Sequence, residues 1–413
     1  MPPKILFLSY DGMSDPLGQS QVIPYLTGIA QQTSYAIDII SCEKPDRYAA
    51  LKNTLENEFD KYGIRWFPIP FSPNRHILTR LKDIRALKQA AFALCRQNQY
   101  ALTHCRSYLA AFIGQQLKKK YAIPLLFDMR GFWIDERVEG GLWNLKNPLY
   151  QVAYYYYKQK EKQLIKDSNA IISLTEAGRQ EIYTWPAYQQ CPVPPPIEVI
   201  PCSSDFEHFA LITPAQKNKA KNILCINDNQ WPVVSYLGSI GTWYMLDEMM
   251  RFFALLRRQY PRALMLFITK DEHDRIKNTA QQFNLPSDSL LITAADRPQV
   301  PLFLAASDLN IFFIKPTYAK KASSPVKLGE VLACGLPVIA NGGVGDIEQI
   351  LTHTEGGLFI DDFSDKTFQQ VIEQLPELIK KPVTEIRNRA RDYYLLEKAV
   401  EKYVTVYTMI IKK

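Results

Sequence analysis

The sequence predicts an α/β fold of two successive doubly wound domains. Three observations carry this: short apolar runs alternate with amphipathic stretches almost end to end, a proline-rich break falls near the middle, and 413 residues exceed one ordinary core. Ile5–Ser9, Ala36–Cys42, Ile64–Ile69, Ala101–Cys105, Leu125–Asp128 and Ala170–Leu174 read as strands. Gln19–Ala30, Asp46–Tyr62, Leu78–Arg96 and Pro148–Lys166 read as helices between them. Cys191-Pro192-Val193-Pro194-Pro195-Pro196 suits neither a helix nor a central strand, and with Pro201–Asp205 it marks a linker. The alternation restarts at Val233–Leu237, Ala263–Thr269, Leu290–Thr293, Leu309–Ile314, Pro337–Ala340 and Leu358–Ile360. The expected domains are 1–205, 206–390 and a C-terminal helix, 391–413, crossing back to the first; a cleft is expected between the two main domains.

Composition narrows the function. The chain is 47% hydrophobic and 22% charged with a formal charge of +7, a balance that suits an anionic ligand or an anionic membrane surface. No nucleic-acid motif accompanies that charge, and nucleic acid is not an expected partner. The seven cysteines are scattered with no C-x-x-C, which predicts reduced thiols in a cytoplasmic setting and no structural zinc. The first apolar run is too short for a signal peptide, and none approaches the about 18 residues of a membrane span.

In open α/β sheets, ligands lie beyond the carboxyl ends of strands. The most informative stretch is Lys320 to Ala340. Ser324 followed by Pro325 predicts a helix start, with Ser324 as cap and Pro325 in the first position, and Gly335 as its end. Lys327 then falls in the first turn, where the helix dipole already disfavours a cation, and Lys320 and Lys321 lie just before it. A cation-rich helix start suits a phosphate group. Glu330, three residues on and on nearly the same face, suits the two hydroxyls of a ribose; a plain surface Lys–Glu pair is the competing reading.

This stretch resembles the donor-site signature of retaining glycosyltransferase family 4, of the two-domain, Rossmann-like GT-B architecture. The pattern Ser-x-Pro-x-Lys-x-x-Glu…Ala-x-Gly-x-Pro-Val-Ile is met at Ser323 or Ser324, Pro325, Lys327, Glu330, Ala333, Gly335, Pro337, Val338 and Ile339. Ala170–Glu176, Val199–Phe209 and the glycine-rich Asn341–Asp346 agree in order and spacing. The resemblance extends to bacterial cell-surface polysaccharide and lipopolysaccharide enzymes. It implies transfer of a sugar from a nucleoside-diphosphate sugar, with retention, to a saccharide or lipid-linked acceptor, and no prosthetic group. It further implies that Ser323, Ser324, Pro325, Val326 and Lys327 surround the diphosphate, with Gly342 and Gly343 nearby, and that Glu330 binds the donor ribose. No Asp-x-Asp stands in a loop where a metal would be held, so no metal is expected.

Two departures matter. A second glutamate that many family members carry eight residues earlier is Ala322, and the family's Arg and Lys after the first strand of the second domain correspond roughly to Ser239 and Tyr244. Lys327 and Lys315 are the expected substitutes for that cationic pair. The backbone of Gly238, Ser239 and Gly241 is expected near the phosphates, although a simple strand-to-helix turn also uses such glycines.

The first domain is expected to hold the acceptor. Its opening loop, Asp11–Ser20, is long for a strand-to-helix turn; Asp15 is an acceptor candidate, and Gly18 would let the loop approach the donor. After Leu125–Asp128 come Arg130, Trp133 and Asp135 in an aromatic, charged loop that suits a sugar. Asp128 stands where many family members place a catalytic histidine, and Asp128 and Arg130 join Lys327 and Glu330 as catalytic candidates. His104 and Arg106 follow another strand as acceptor candidates; a single histidine is as often a structural hydrogen-bonder. Gly141–Lys166, rich in aromatics and lysines, reads either as ordinary helix packing with a solvated basic face or as a membrane-surface element.

A nicotinamide-dependent dehydrogenase is the first rival, opposed by the absence of G-x-G-x-x-G after Ile5–Ser9 and after Val233–Leu237. A non-catalytic sugar-nucleotide-binding or scaffold protein is the second, made conceivable by Ala322, Ser239 and Tyr244.

Overall fold

The computed structural model describes residues 2–72 and 77–412. Contacts divide the chain into unit 1, Met1–Pro201 with Leu396–Lys413, and unit 2, Cys202–Leu395. Each unit is built on a wholly parallel sheet.

Unit 1 has seven strands: β1 (Lys4–Ser9), β2 (Ala36–Glu43), β3 (Arg65–Pro70), β4 (Leu102–Arg106), β5 (Leu125–Asp128), β6 (Ala170–Ser173) and β7 (Ile197–Val199), in spatial order β3-β2-β1-β4-β5-β6-β7. Ile5, Leu6, Phe7 and Leu8 of β1 are all buried, the unbroken apolar run of a strand covered on both faces. β3 carries Pro68 and Pro70, which cannot donate to a ladder, and accordingly lies at the sheet edge. The expected helix Gln19–Ala30 is two helices, Pro16–Gln21 and Ile23–Gln32, each with a proline at its start.

The C-terminal helix, Leu396–Ile411, packs on Ile23–Gln32 within unit 1, and Val400, Tyr403, Tyr407 and Ile410 are buried there. Gly28 permits the approach, because a Cβ on it would stand 2.7 Å from Val400 Cγ2. Each such large apolar side chain contributes about 1.5–3 kcal/mol on burial.

Unit 2 has six strands: β8 (Val233–Leu237), β9 (Leu264–Ile268), β10 (Leu290–Thr293), β11 (Leu309–Ile311), β12 (Val338–Asn341) and β13 (Gly357–Ile360), in order β10-β9-β8-β11-β12-β13. β11 is shorter than the run to Ile314 predicted. Beyond it the Asn341 side chain bonds both Ile314 N and Ile314 O, and Ile314 bridges to Tyr244 instead of continuing the sheet. The Leu246–Gln259 helix shows the expected local logic: Asp247 and Glu248 in its first turn, Arg257 and Arg258 in its last, and Met249, Met250, Phe252, Phe253 and Leu256 buried.

The strand orders reverse between β1 and β4 in unit 1 and between β8 and β11 in unit 2. Ligands of such sheets bind at these switch points, beyond the carboxyl ends.

Candidate active site

In unit 2 the helix of the sequence signature runs Val326–Ala333. Pro325 is its N-cap rather than its first residue, and Ser324 does not cap it. The Ser324 hydroxyl instead accepts from Cys202 N at 3.2 Å. From Lys327 to Ala333 every residue is buried, so this is a core helix with a cation in its first turn. Gly335 follows at φ +79, the left-handed conformation that ends helices; a Cβ there would stand 2.7 Å from the Val383 carbonyl oxygen.

Lys327 reaches the loop that follows β8. Its Nζ lies 3.7 Å from the Tyr244 ring centroid and 4.2 Å from that of Tyr236, and it donates to the Tyr236 hydroxyl at 3.2 Å. Gly238, at φ +102, makes room, since a Cβ there would stand 3.4 Å from this Nζ. Burial pushes the Lys327 amine well below its ordinary pKa; Glu330 and Asp271 oppose that through space. Aromatic faces attract a cation but do not neutralise it, so an anion placed beside Lys327 would favour its charged form against that burial.

The loop itself is pinned by Asp271, whose Oδ2 accepts from Ser239 Oγ and from Ile240 N, both at 2.7 Å. Gly241 N donates to Ser239 Oγ at 3.2 Å. One turn along the helix, Glu330 accepts from Arg297 Nη1 at 3.2 Å, and burial raises its pKa against Arg297 and Lys327. Lys315 is exposed just past β11, its amide donating to Trp243 O at 2.9 Å, and Lys320 Nζ lies 3.9 Å over the Trp243 ring. Ser323 N donates to Lys320 O at 3.1 Å, and Ala322 is buried where a second glutamate would stand. In the glycine-rich loop Gly342 N donates to Ile360 O and Gly343 N to Glu348 Oε1, the latter at 2.9 Å.

In unit 1 the polar centre is Asp128, at the end of β5. Its Oδ2 accepts from the Tyr403 hydroxyl at 3.1 Å and lies 3.4 Å from His104 Nε2; His104 Nδ1 is 2.6 Å from the Tyr407 hydroxyl. Arg130 Nη1 stands 3.8 Å from Oδ1. Burial opposes the Asp128 charge, but Arg130, His104 and Arg106 outweigh it and hold the carboxyl below its ordinary range. Burial lowers the His104 pKa, against the opposing pull of Asp128.

Two models of known families match: a group 1 glycosyl transferase domain over residues 216–393 and a glycosyl transferase 4-like domain over 31–202. The chain belongs to the GT-B glycosyltransferases. No curated protein sequence matches it. Among solved structures, a sucrose-phosphate synthase from Thermosynechococcus elongatus is similar at TM-score 0.73 and 16% identity, covering 99% of both chains. A glycosyltransferase from Rickettsia africae has TM-score 0.69 and 16% identity over 100% of this chain and 99% of its own. An Escherichia coli trehalose-6-phosphate protein bound with UDP-2-fluoro glucose has TM-score 0.66 and 12% identity over 99% of both.

In this GT-B glycosyltransferase the structure brings Gly238, Ser239, Gly241 and Lys327 together at the unit 2 switch point, with Glu330 a turn beyond. Among the unit 1 candidates, it gathers Asp128, Arg130, His104 and Arg106 at the ends of β4 and β5. The remaining unit 1 candidates make contacts within their own unit. Gly18 lies in the Pro16–Gln21 helix, not in a loop, because Pro16 starts the helix early; a Cβ on it would run into the Gly12 carbonyl and Met13. Asp15 is paired with Lys44 and Arg47, at 2.8 and 2.6 Å. Trp133 stacks on Tyr108 at 5.8 Å, and Asp135 accepts from Tyr154 and Lys158, both at 3.0 Å.

Sequence reasoning missed Arg297, Asp271, Tyr236, Tyr403 and Tyr407. It also missed Glu43, which fills the opening loop by accepting from Met13 N at 2.7 Å and Ser14 N at 3.0 Å. Only Glu43 carried a signal, as an acid ending a buried strand.

Proposed function

We propose that this glycosyltransferase takes a sugar from a nucleoside-diphosphate sugar bound to unit 2 and gives it to a saccharide or lipid-linked acceptor bound to unit 1. The carrying observation is Lys327: a buried lysine between two tyrosine rings, beside the Gly238 loop and one turn from a buried glutamate. The diphosphate sits against Lys327, the first-turn amides of the Val326–Ala333 helix and the Gly238–Gly241 backbone, and Lys315 adds charge from the strand end. Glu330 takes the ribose hydroxyls. The fold likeness to the protein bound with UDP-2-fluoro glucose supports a nucleotide-sugar donor.

In the reaction the bond from the anomeric carbon to the diphosphate breaks, and the departing charge is held by Lys327 and the helix-start amides. The acceptor oxygen bonds to the anomeric carbon on the face the diphosphate leaves, giving retention as in family 4, and its proton passes to the leaving phosphate; Asp128 and Arg130 line the acceptor side. The metal-free reading rests on the cationic stabilisers and on the missing Asp-x-Asp. The setting proposed is cytoplasmic, with unit 1 resting on a membrane surface through the Pro148–Asp167 helix.

A thermal-shift screen across UDP, GDP, ADP and CMP tests the donor site. One nucleoside diphosphate stabilises the protein, and Glu330→Ala, with unchanged circular dichroism, abolishes that stabilisation; stabilisation surviving the substitution contradicts the ribose role. Ala322, Ser239 and Tyr244 favour one competing reading, a binding protein without catalysis. Slow release of nucleotide from the matching nucleotide sugar excludes it.

A further inference from the structure

Arg106 is the last residue of β4, next to β1, where the strand order of unit 1 reverses. It is 6% exposed, and among the described residues no hydrogen bond or ion pair reaches its guanidinium. Burial lowers its pKa, Arg130 lowers it further, and Asp128 and Asp11 oppose them from a distance. A guanidinium nearly withdrawn from water without a protein partner is costly, and an anionic ligand would offset that cost.

The surroundings show what that ligand carries. Asp128, paired with Arg106 in the β4–β5 register, acts on it only through space: its Oδ2 is taken by Tyr403 and His104, and its buried Oδ1 has no hydrogen-bond partner and faces Arg130 at 3.8 Å. Arg137, also lowered by burial, lies over Trp133 beyond, while Asp11 is exposed and screened. On its inner side Arg106 meets a cavity of about 10 Å³, lined also by Gln21, Asp128 and Tyr403 and large enough for one water at most, so a ligand reaches the guanidinium from outside. Both strand ends are held in the left-handed region by residues that are not glycine, Ser107 at φ +66 and Arg130 at φ +56; such strain gathers at binding sites.

We propose that Arg106 binds an anionic group of the acceptor, a phosphate or a carboxylate, through its planar fork. Arginine matches both oxyanions in a two-pronged geometry that lysine cannot reproduce. The proposal rests on the reading that unit 1 holds the acceptor.

Calorimetry of the full chain in phosphate-free buffer, with glucose 6-phosphate, glucuronate, inorganic phosphate and glucose as probes, tests it. At least one charged sugar binds more tightly than glucose, and the one that does so distinguishes phosphate from carboxylate. Arg106→Gln weakens that binding by roughly ten- to a hundredfold, as loss of a charged hydrogen bond should, and Arg106→Lys recovers only part. Equal binding of glucose and both charged sugars, binding of inorganic phosphate alone, no binding of any anion, or a preference that survives Arg106→Gln overturns the proposal. Should Arg106→Gln fail to fold, Arg106→Lys decides, since undiminished binding there refutes the fork. UDP binding by the same samples separates the two readings: UDP bound without an anion preference refutes only this inference, whereas UDP unbound by the wild type refutes the donor site.

Discussion

Lys327 Nζ stands 3.7 Å from the Tyr244 ring, so the residue found where a family cation is expected holds the remaining cation in place. Tyr244 is itself buried, its hydroxyl pushed up to about 12 by burial, so it stays neutral and offers only its ring and dipole. In the proposed donor site an aromatic seat thus stands in place of a second charge, and the diphosphate would rest chiefly on Lys327.

A pH dependence follows. Free Lys327 titrates well below 10.5, and an adjacent diphosphate raises it again, so binding takes up a proton in the window between the free and the bound pKa. Nucleotide affinity therefore falls as pH rises through that window, by at most about tenfold per unit. Lys327→Met binds roughly ten- to a hundredfold more weakly and with no such slope. Titration calorimetry across pH checks both; a wild-type affinity that is flat in pH contradicts the account.

Asp128 is the counter-charge of the unit 1 site. Asp128→Asn leaves Arg130 and Arg106 buried without it, a cost of about 3–5 kcal/mol, read as a lower midpoint in urea. The wild-type carboxyl lies below 3.8, so its contribution is present above that pH and is lost as pH falls through its lowered value. The gap between the two proteins accordingly narrows in acid. Equal stability near neutrality would show that the network does not depend on this charge.

The Pro148–Asp167 helix gives the membrane proposal a surface. Leu149, Val152 and Tyr156 share one face and are 79%, 68% and 56% exposed, while Lys146, Lys162 and Lys166 stand exposed along the same segment. No helix of the described residues is long and apolar enough to cross a membrane, so contact would be at the surface. The protein is expected to sediment with vesicles containing phosphatidylglycerol but not with pure phosphatidylcholine, and Val152→Glu with Tyr156→Glu to abolish it. No sedimentation, or none lost, contradicts the proposal.

What the sequence made legible was local. Parallel strands buried on both faces read as apolar runs, and the spacing from Ser324 to Glu330 lies within two helical turns. What it hid was tertiary. Arg297 meets Glu330 across 33 residues, and Tyr403 and Tyr407 reach Asp128 and His104 across 275 and 303, distances over which no periodicity or motif speaks. The helix start was misplaced because the Ser324 hydroxyl serves Cys202, a residue far away in sequence. Gly18 was expected in a loop but lies in a helix, since Pro16 starts one early, and its smallness answers to Gly12 and Met13.

The most direct test is a crystal structure with the nucleoside diphosphate selected by the stability screen. The diphosphate is predicted within hydrogen-bond distance of Lys327 Nζ and the first-turn amides of the Val326–Ala333 helix, with Glu330 on the ribose hydroxyls. A nucleotide bound elsewhere, with Lys327 still on Tyr236 and Tyr244 and Glu330 still on Arg297, would contradict the assignment.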